Sequence, residues 1–203
     1  MATRRPKPEH KESLRGEILD AARELFVAEG YESVSMRKIA ERIGYSPTTI
    51  YLYFKDKSEL LRQICESTFE RLADEIVESQ SKATGPLDKL RRGLLTYIDF
   101  GLKNPHHYDV VFVSPKVRFM GPTEYSFDGS MGQRAFELLG SSVAECMAAG
   151  VLRKGDVALT AQTFWAGIHG VTSLVNTHDG FPFVESERLA TSIVDTMIAG
   201  LES

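Results

Sequence analysis

Between Ser35 and Lys57 the chain reads SMRKIAERIGYSPTTIYLYFKDK. The second half of this stretch carries hydroxyls and phenols where a surface helix normally shows Lys and Glu. At helical spacing Thr48 and Leu52 share one face and Thr49 and Tyr53 the adjacent one, both turned away from the apolar pair Ile50 and Phe54. A threonine presents a hydroxyl to a base edge or phosphate and a methyl to a thymine methyl. Tyr51 and Tyr53 supply phenols that hydrogen-bond phosphate oxygens, and Lys57 supplies an ammonium of the same use. Such a set suits contact with DNA. It does not suit catalysis: the chain has no GxSxG, P-loop, HExxH or Rossmann glycine pattern, and no paired acid and base or nucleophile is visible.

These side chains need a scaffold, and local signals supply one. A first helix is expected from about Lys11 to Glu29, with Leu14, Ile18, Ala22, Leu25 and Phe26 on one face and Gly30 as its left-handed terminator. Ser35 caps a second short helix, which buries Met36 or Ile39, then Ala40 and Ile43, and stops at Gly44. Ser46 caps a third, with Pro47 at its first position, where a missing N–H costs nothing. Ser58 is read as the cap of a long fourth helix whose inner stripe runs from Leu61 through Ile64, Thr68 and Leu72 to Ile76. Two short helices joined by a tight turn are the geometry in which the second enters the major groove.

Further helices follow the Gly85-Pro86 break, Asn104-Pro105, a Pro- and Gly-bearing connection over 114–130 expected to be mobile, Gly155-Asp156 and the loop HDGFPF. The fold class is all-α with about nine helices; Val110–Val113 is the best β candidate and is isolated. No apolar run reaches the roughly 18 residues of a membrane span, and no apolar region follows the basic N-terminus to make it a secretory signal. Cys65 and Cys146 each sit in a helical apolar pattern and read as buried thiols, which suits a reducing cytoplasmic compartment.

The net charge of -4 would by itself argue against nucleic acid, but it is uneven. Residues 1–60 hold 11 Lys/Arg against 10 Asp/Glu, and residues 61–203 hold 13 against 18. Arg37, Lys38, Lys55 and Lys57 bracket the motif, and local charge governs phosphate binding. Arg4, Arg5 and Lys7 are either a minor-groove arm or a solvated tail.

Residues 18–61, ILDAARELFVAEGYESVSMRKIAERIGYSPTTIYLYFKDKSELL, closely resemble the TetR family of bacterial transcriptional regulators. The resemblance implies DNA contacts from Ser35, Met36 and Arg37 at the start of the second helix, and from Ser46, Pro47, Thr48, Thr49, Tyr51 and Tyr53 around the third. It implies Lys57 on a phosphate. Residues 1–57 would then form an arm and a helix–turn–helix domain built on three helices, and 58–203 a larger helical domain for ligand binding and dimerisation. The family also implies a cytoplasmic, nucleoid-associated homodimer on double-stranded operator DNA, a small-molecule effector and no cofactor. TFWAGIHGVTSL (163–174) resembles a Trp–His–Gly signature of one subgroup.

The C-terminal residues allow two expectations of their own. Gly167 and Gly170, with the Leu189, Ile193, Met197 and Leu201 stripe, either form a four-helix interface across a two-fold axis or pack within one chain. Aromatics are dense from Tyr97 to Phe136, namely Tyr97, Phe100, Tyr108, Phe112, Phe119, Tyr125, Phe127 and Phe136. With Trp165 and His169, Tyr97, Phe100, Tyr108, Phe112 and Phe136 are candidates for lining a site for an apolar or aromatic ligand, or are core aromatics. His106-His107 diverge by about 100° and do not chelate a metal as i, i+4 pairs do. A ligand-independent regulator, or an activator working with a protein partner, is the alternative reading.

Overall fold

The computed structural model describes residues 8–113 and 126–202, and among these every regular element is helical. The arm residues Arg4, Arg5 and Lys7, the aromatics Phe119 and Tyr125, and most of the expected 114–130 connection lie outside the described residues. The chain divides into two compact units. One takes the chain up to Glu66 and resumes at His106; the other takes Ser67–Pro105 and resumes at Phe127. The boundary expected from the sequence lies at 57/58.

In the first unit α1 (Pro8–Glu29) buries Leu14, Ile18, Ala22, Leu25 and Phe26 along one stripe. It ends as Gly30, at φ 79°, donates to the Phe26 carbonyl. A 3-10 turn, Tyr31–Ser33, leads to α2 (Met36–Arg42), where Met36, Ile39 and Ala40 are all buried and Ile43 half-buried. Gly44 takes φ 74° and turns the chain into α3 (Pro47–Tyr51). α4 (Lys57–Gln80) begins one residue earlier than its expected cap. Asp56, not Ser58, closes that end: its Oδ1 accepts the Glu59 N–H at 2.8 Å while Glu59 Oε2 reaches back to the Lys55 N–H at 2.7 Å. A carboxylate at this position is as good an N-cap as a hydroxyl and also meets the positive end of the helix. Ser58 is thereby left to hydrogen-bond the Tyr31 phenol at 3.1 Å.

The short helix expected after Asn104-Pro105 forms, and the β candidate Val110–Val113 is part of it. α6 starts at Pro105–Tyr108 and runs directly into a π-helical turn, Asp109–Val113. Its β-branched residues mimic a strand, but Val110 and Val111 are buried and the turn packs on α1. Burial of an apolar run decides here over intrinsic β propensity.

The second unit is organised around α5 (Pro86–Lys103), which contacts α7 (Met131–Ala148), α8 (Val157–Thr177) and α9 (Ser186–Ala199). Leu90, Leu94 and Ile98 meet a core that includes Val143, Phe164, Ile168 and Val194, all at most 2 % exposed. Gln80, the last residue of α4, donates to Ser142 Oγ at 3.0 Å and to the Lys89 carbonyl at 3.3 Å. Gly93 leaves room for it: a Cβ there would stand 2.7 Å from Gln80 Nε2.

Cys65 and Cys146 are both free and buried, as their apolar context predicts. Burial pushes the Cys65 thiol up to about 12, with the nearby Glu66 charge adding, and Cys146 to about 11. Neither is expected to react with a thiol reagent at pH 8 in the native protein, and both react in denaturant; fast labelling of folded protein would contradict the packing.

Candidate nucleic-acid interface

The α2–α3 head is built from two serine caps. Ser35 Oγ accepts the Lys38 N–H at 3.2 Å; Ser46 Oγ accepts the Thr49 N–H at 3.2 Å and lies 2.9 Å from Thr49 Oγ1. With Pro47 at the first position of α3, the cap holds a five-residue helix that would be too short to persist alone. Ile50 and Phe54 are completely buried, and they fix which face looks outward. On that face Thr48 is exposed, Tyr51 is 55 % exposed and Leu52 is 76 % exposed, with Tyr53 and Thr49 half-buried at its border. Helical spacing puts Leu52 on this face without marking it as a contact; its exposure, the largest of any big apolar side chain among the described residues, makes it one of the candidates.

The start of α2 divides differently. Ser35 and Arg37 are exposed, and Arg37 Nε donates to Glu41 at 2.8 Å. The Met36 side chain is only 7 % exposed, so that residue offers a surface its backbone N–H and no more. Two further basic residues of α2 are tied to α1, Arg42 to Glu24 at 2.9 Å and Lys38 to Glu29. Lys57, expected on a phosphate, points back into the fold: its ammonium donates to the carbonyls of Tyr31 at 2.6 Å and Val34 at 2.9 Å. Burial shifts its pKa downward.

Of the seven residues proposed to line a ligand site, four come together in the second unit. Trp165 Nε1 donates to Tyr97 Oη at 3.3 Å, and that oxygen lies 3.2 Å from His169 Nδ1. Phe136 meets Trp165 edge-on at 6.1 Å. Phe100 is 2 % exposed, with Arg71 over its ring, and is a core residue. Tyr108 and Phe112 pack against each other at a tilt of 43°, ring centres 4.8 Å apart, in the first unit. His107 takes a 2.5 Å hydrogen bond from Arg23, and no cluster that could hold a metal occurs among the described residues.

α8 and α9 frame an open apolar groove of about 610 Å3, walled by Gly170, Leu174, Phe181, Val184, Leu189 and Ile193. The two glycines differ. A Cβ on Gly167 would overlap the Met197 sulfur, so that glycine serves the α8–α9 contact inside the chain, whereas a Cβ on Gly170 meets nothing within 4 Å. On α9 the fully buried stripe is Ala190, Val194 and Ile198; Leu189, Ile193 and Met197 form a second, half-buried one, with half-buried Leu201 just beyond the helix.

Among the described residues every regular element is helical, and a serine-capped helix–turn–helix head with a second helical unit defines the class of helix–turn–helix DNA-binding regulators. Residues 18–64 match the family described as bacterial regulatory proteins, tetR family, and residues 90–197 match the tetracyclin repressor-like C-terminal domain. The chain belongs to the TetR family of transcriptional regulators. It is 35 % identical over 97 residues to the uncharacterized regulator YfiR of Bacillus subtilis, covering 45 % of this chain and 47 % of that one. It spans about half the length of the first curated relatives it matches. The match to the fatty acid metabolism regulator protein of B. subtilis is longer, 25 % identity over 193 residues, 92 % of this chain and 95 % of that one. The solved structure of FadR from B. subtilis in complex with stearoyl-CoA shares the fold, with a TM-score of 0.79 at 21 % identity over 92 % of this chain and 98 % of that one.

Proposed function

We propose that this protein is a homodimeric transcriptional repressor that reads a palindromic operator through α3 and the start of α2, and that a small apolar or aromatic ligand releases it. The observation that carries the DNA reading is the outward face of α3. Thr48, Tyr51 and Leu52 are exposed on a helix whose inner residues Ile50 and Phe54 are locked in the core. A solvated surface has no use for so much apolar and phenolic area, but base edges, thymine methyls and phosphates do. The apolar α8–α9 groove supports pairing of two copies, which would set two heads against half-sites about one helical turn apart or somewhat more.

Support for the ligand comes from the Tyr97, Phe136, Trp165 and His169 group, which combines aromatic walls with few polar atoms. The relative FadR, solved with stearoyl-CoA, makes long-chain acyl compounds the first to try. Release requires that the ligand bind one conformer better than the other.

Selection from random duplex DNA tests the reading. A pseudo-palindromic sequence is expected to be enriched, and no enrichment at all would end the proposal. Repeating the selection with Thr48→Ala should relax preference at one or two base pairs, worth about 1–3 kcal/mol each. The Thr48 hydroxyl has no protein partner among the described residues, so its loss should leave stability unchanged.

A further inference from the structure

We infer that Leu52 reads the C5-methyl of a pyrimidine in the major groove, so that one operator position per head is recognised by a methyl group and not by hydrogen bonds. The inference rests on the DNA-reading function proposed above and assigns this contact to a single side chain. Leu52 is 76 % exposed in a head where Ile39, Ile50, Leu60 and Leu61 are at most 2 % exposed. It cannot turn inward. Ile50 and Phe54 lock the opposite face of α3 into the core, and the Tyr53 and Phe54 N–H groups both donate to the Ile50 carbonyl, at 2.9 and 3.0 Å. Leu52 follows the last residue of α3 in a right-handed helical conformation. Its Cα–Cβ bond therefore tilts towards the helix start, which sets the isobutyl group beside exposed Thr48, one turn earlier.

Nothing in Leu52 suits a phosphate. The side chain has no polar atom, and its backbone N–H already donates to the Thr49 carbonyl at 3.2 Å. Exposed Thr48 and Tyr51 each carry a hydroxyl, so polar contacts from this face fall to them. In the major groove the base pairs show donors, acceptors and one apolar group, the thymine C5-methyl. An isobutyl group set over the N4 amino group of cytosine, or over O6 and N7 of guanine, strips them of water and returns no hydrogen bond. The same group set over a methyl buries apolar area on both sides. Leu52 thus favours the methyl-bearing base and penalises a G·C pair at that position. 5-Methylcytosine shows the same methyl but keeps the amino group, and should rank between thymine and cytosine.

The test uses the full chain and the duplex that wild type selects from random sequence. Each thymine is replaced singly by uracil, which removes only the methyl. At one thymine per head affinity should fall about four-fold, the value of one buried methyl. Leu52→Ala should bind the thymine duplex at least about four-fold more weakly, and the same uracil should then cost it less than about 1.5-fold. Thr48→Ser, which removes the Thr48 methyl, should keep the full uracil effect. At the sensitive position a C·G pair should weaken binding about ten-fold or more. 5-Methylcytosine there should recover about four-fold of that loss. Each comparison sets two duplexes on one protein, so any change in a variant's own stability cancels.

A uracil effect that Leu52→Ala leaves in place, or a selected duplex with no methyl-sensitive thymine, overturns the inference while the DNA reading stands. So does 5-methylcytosine that binds no better than cytosine. Tighter binding to the 5-methylcytosine duplex than to the thymine duplex keeps the methyl as the group read and makes methylated cytosine its source. If wild type selects no duplex, the function proposed above fails and this inference fails with it.

Discussion

Replacing Phe54 with alanine should abolish binding to the selected duplex while leaving the helices of the second unit in place. Phe54 is 1 % exposed at the base of the head, and the Arg15 guanidinium stands over its ring at 5.3 Å. Removing a buried phenylalanine side chain costs about 3–5 kcal/mol. A whole domain is stable by only about 5–15 kcal/mol, and a small one sits near the lower end. The side chain lies just beyond the α3 face that carries Thr48, Tyr51 and Leu52, so the reading surface is lost with the core beneath it. Circular dichroism should show an early melting step with most helicity retained, and duplex titration should show no specific binding. A variant that melts as wild type and binds normally would refute both the packing and the placing of the reader on it.

Gly170→Arg should have the opposite profile: a sound monomer that no longer pairs. A Cβ at this position meets nothing within 4 Å, and replacing a mid-helix glycine adds about 1 kcal/mol of helix stability. The chain's own stability should therefore hold or rise. The new guanidinium would project into the α8–α9 groove, where an apolar partner face is proposed to seat. Burying it unpaired there is strongly unfavourable. Light scattering should report a dimer for wild type and a monomer for the variant. Because two linked heads gain about 10²–10⁴ in avidity, operator affinity should fall by that order. A variant that stays dimeric would move the interface elsewhere. Gly167 does not permit so clean a test, because any side chain there displaces Met197 within the same chain.

Much of this architecture was legible in the residues because its signals are local. Ser35 and Ser46 cap the helices they precede, Gly30 and Gly44 end the ones before them, and Ile50 and Phe54 turn inward at helical spacing. Capping and periodicity act within one or two turns, so neighbours in the chain settle them. The same locality explains one misreading. Asp56 and Ser58 both qualify as caps for α4, and choosing Asp56 frees Ser58 for Tyr31, 27 residues away. The short helix expected after Asn104-Pro105 forms despite the β-branched composition of Val110–Val113, where the chain takes a π turn packed against α1.

The sequence by itself determined a helical chain with a DNA-reading motif and identified which face of α3 must look outward, because those properties follow from short-range backbone and hydrophobic patterning. Tertiary structure alone decided what each candidate side chain is free to touch. It buried Met36, assigned Tyr108 and Phe112 to the first unit and Trp165 and His169 to the second, and opposed Gly167 to Met197 while leaving Gly170 open. It also turned the Lys57 ammonium onto carbonyls 26 and 23 residues earlier in the chain. A long, flexible side chain goes to the strongest acceptors within its reach, and which acceptors those are is known only once distant segments are packed together.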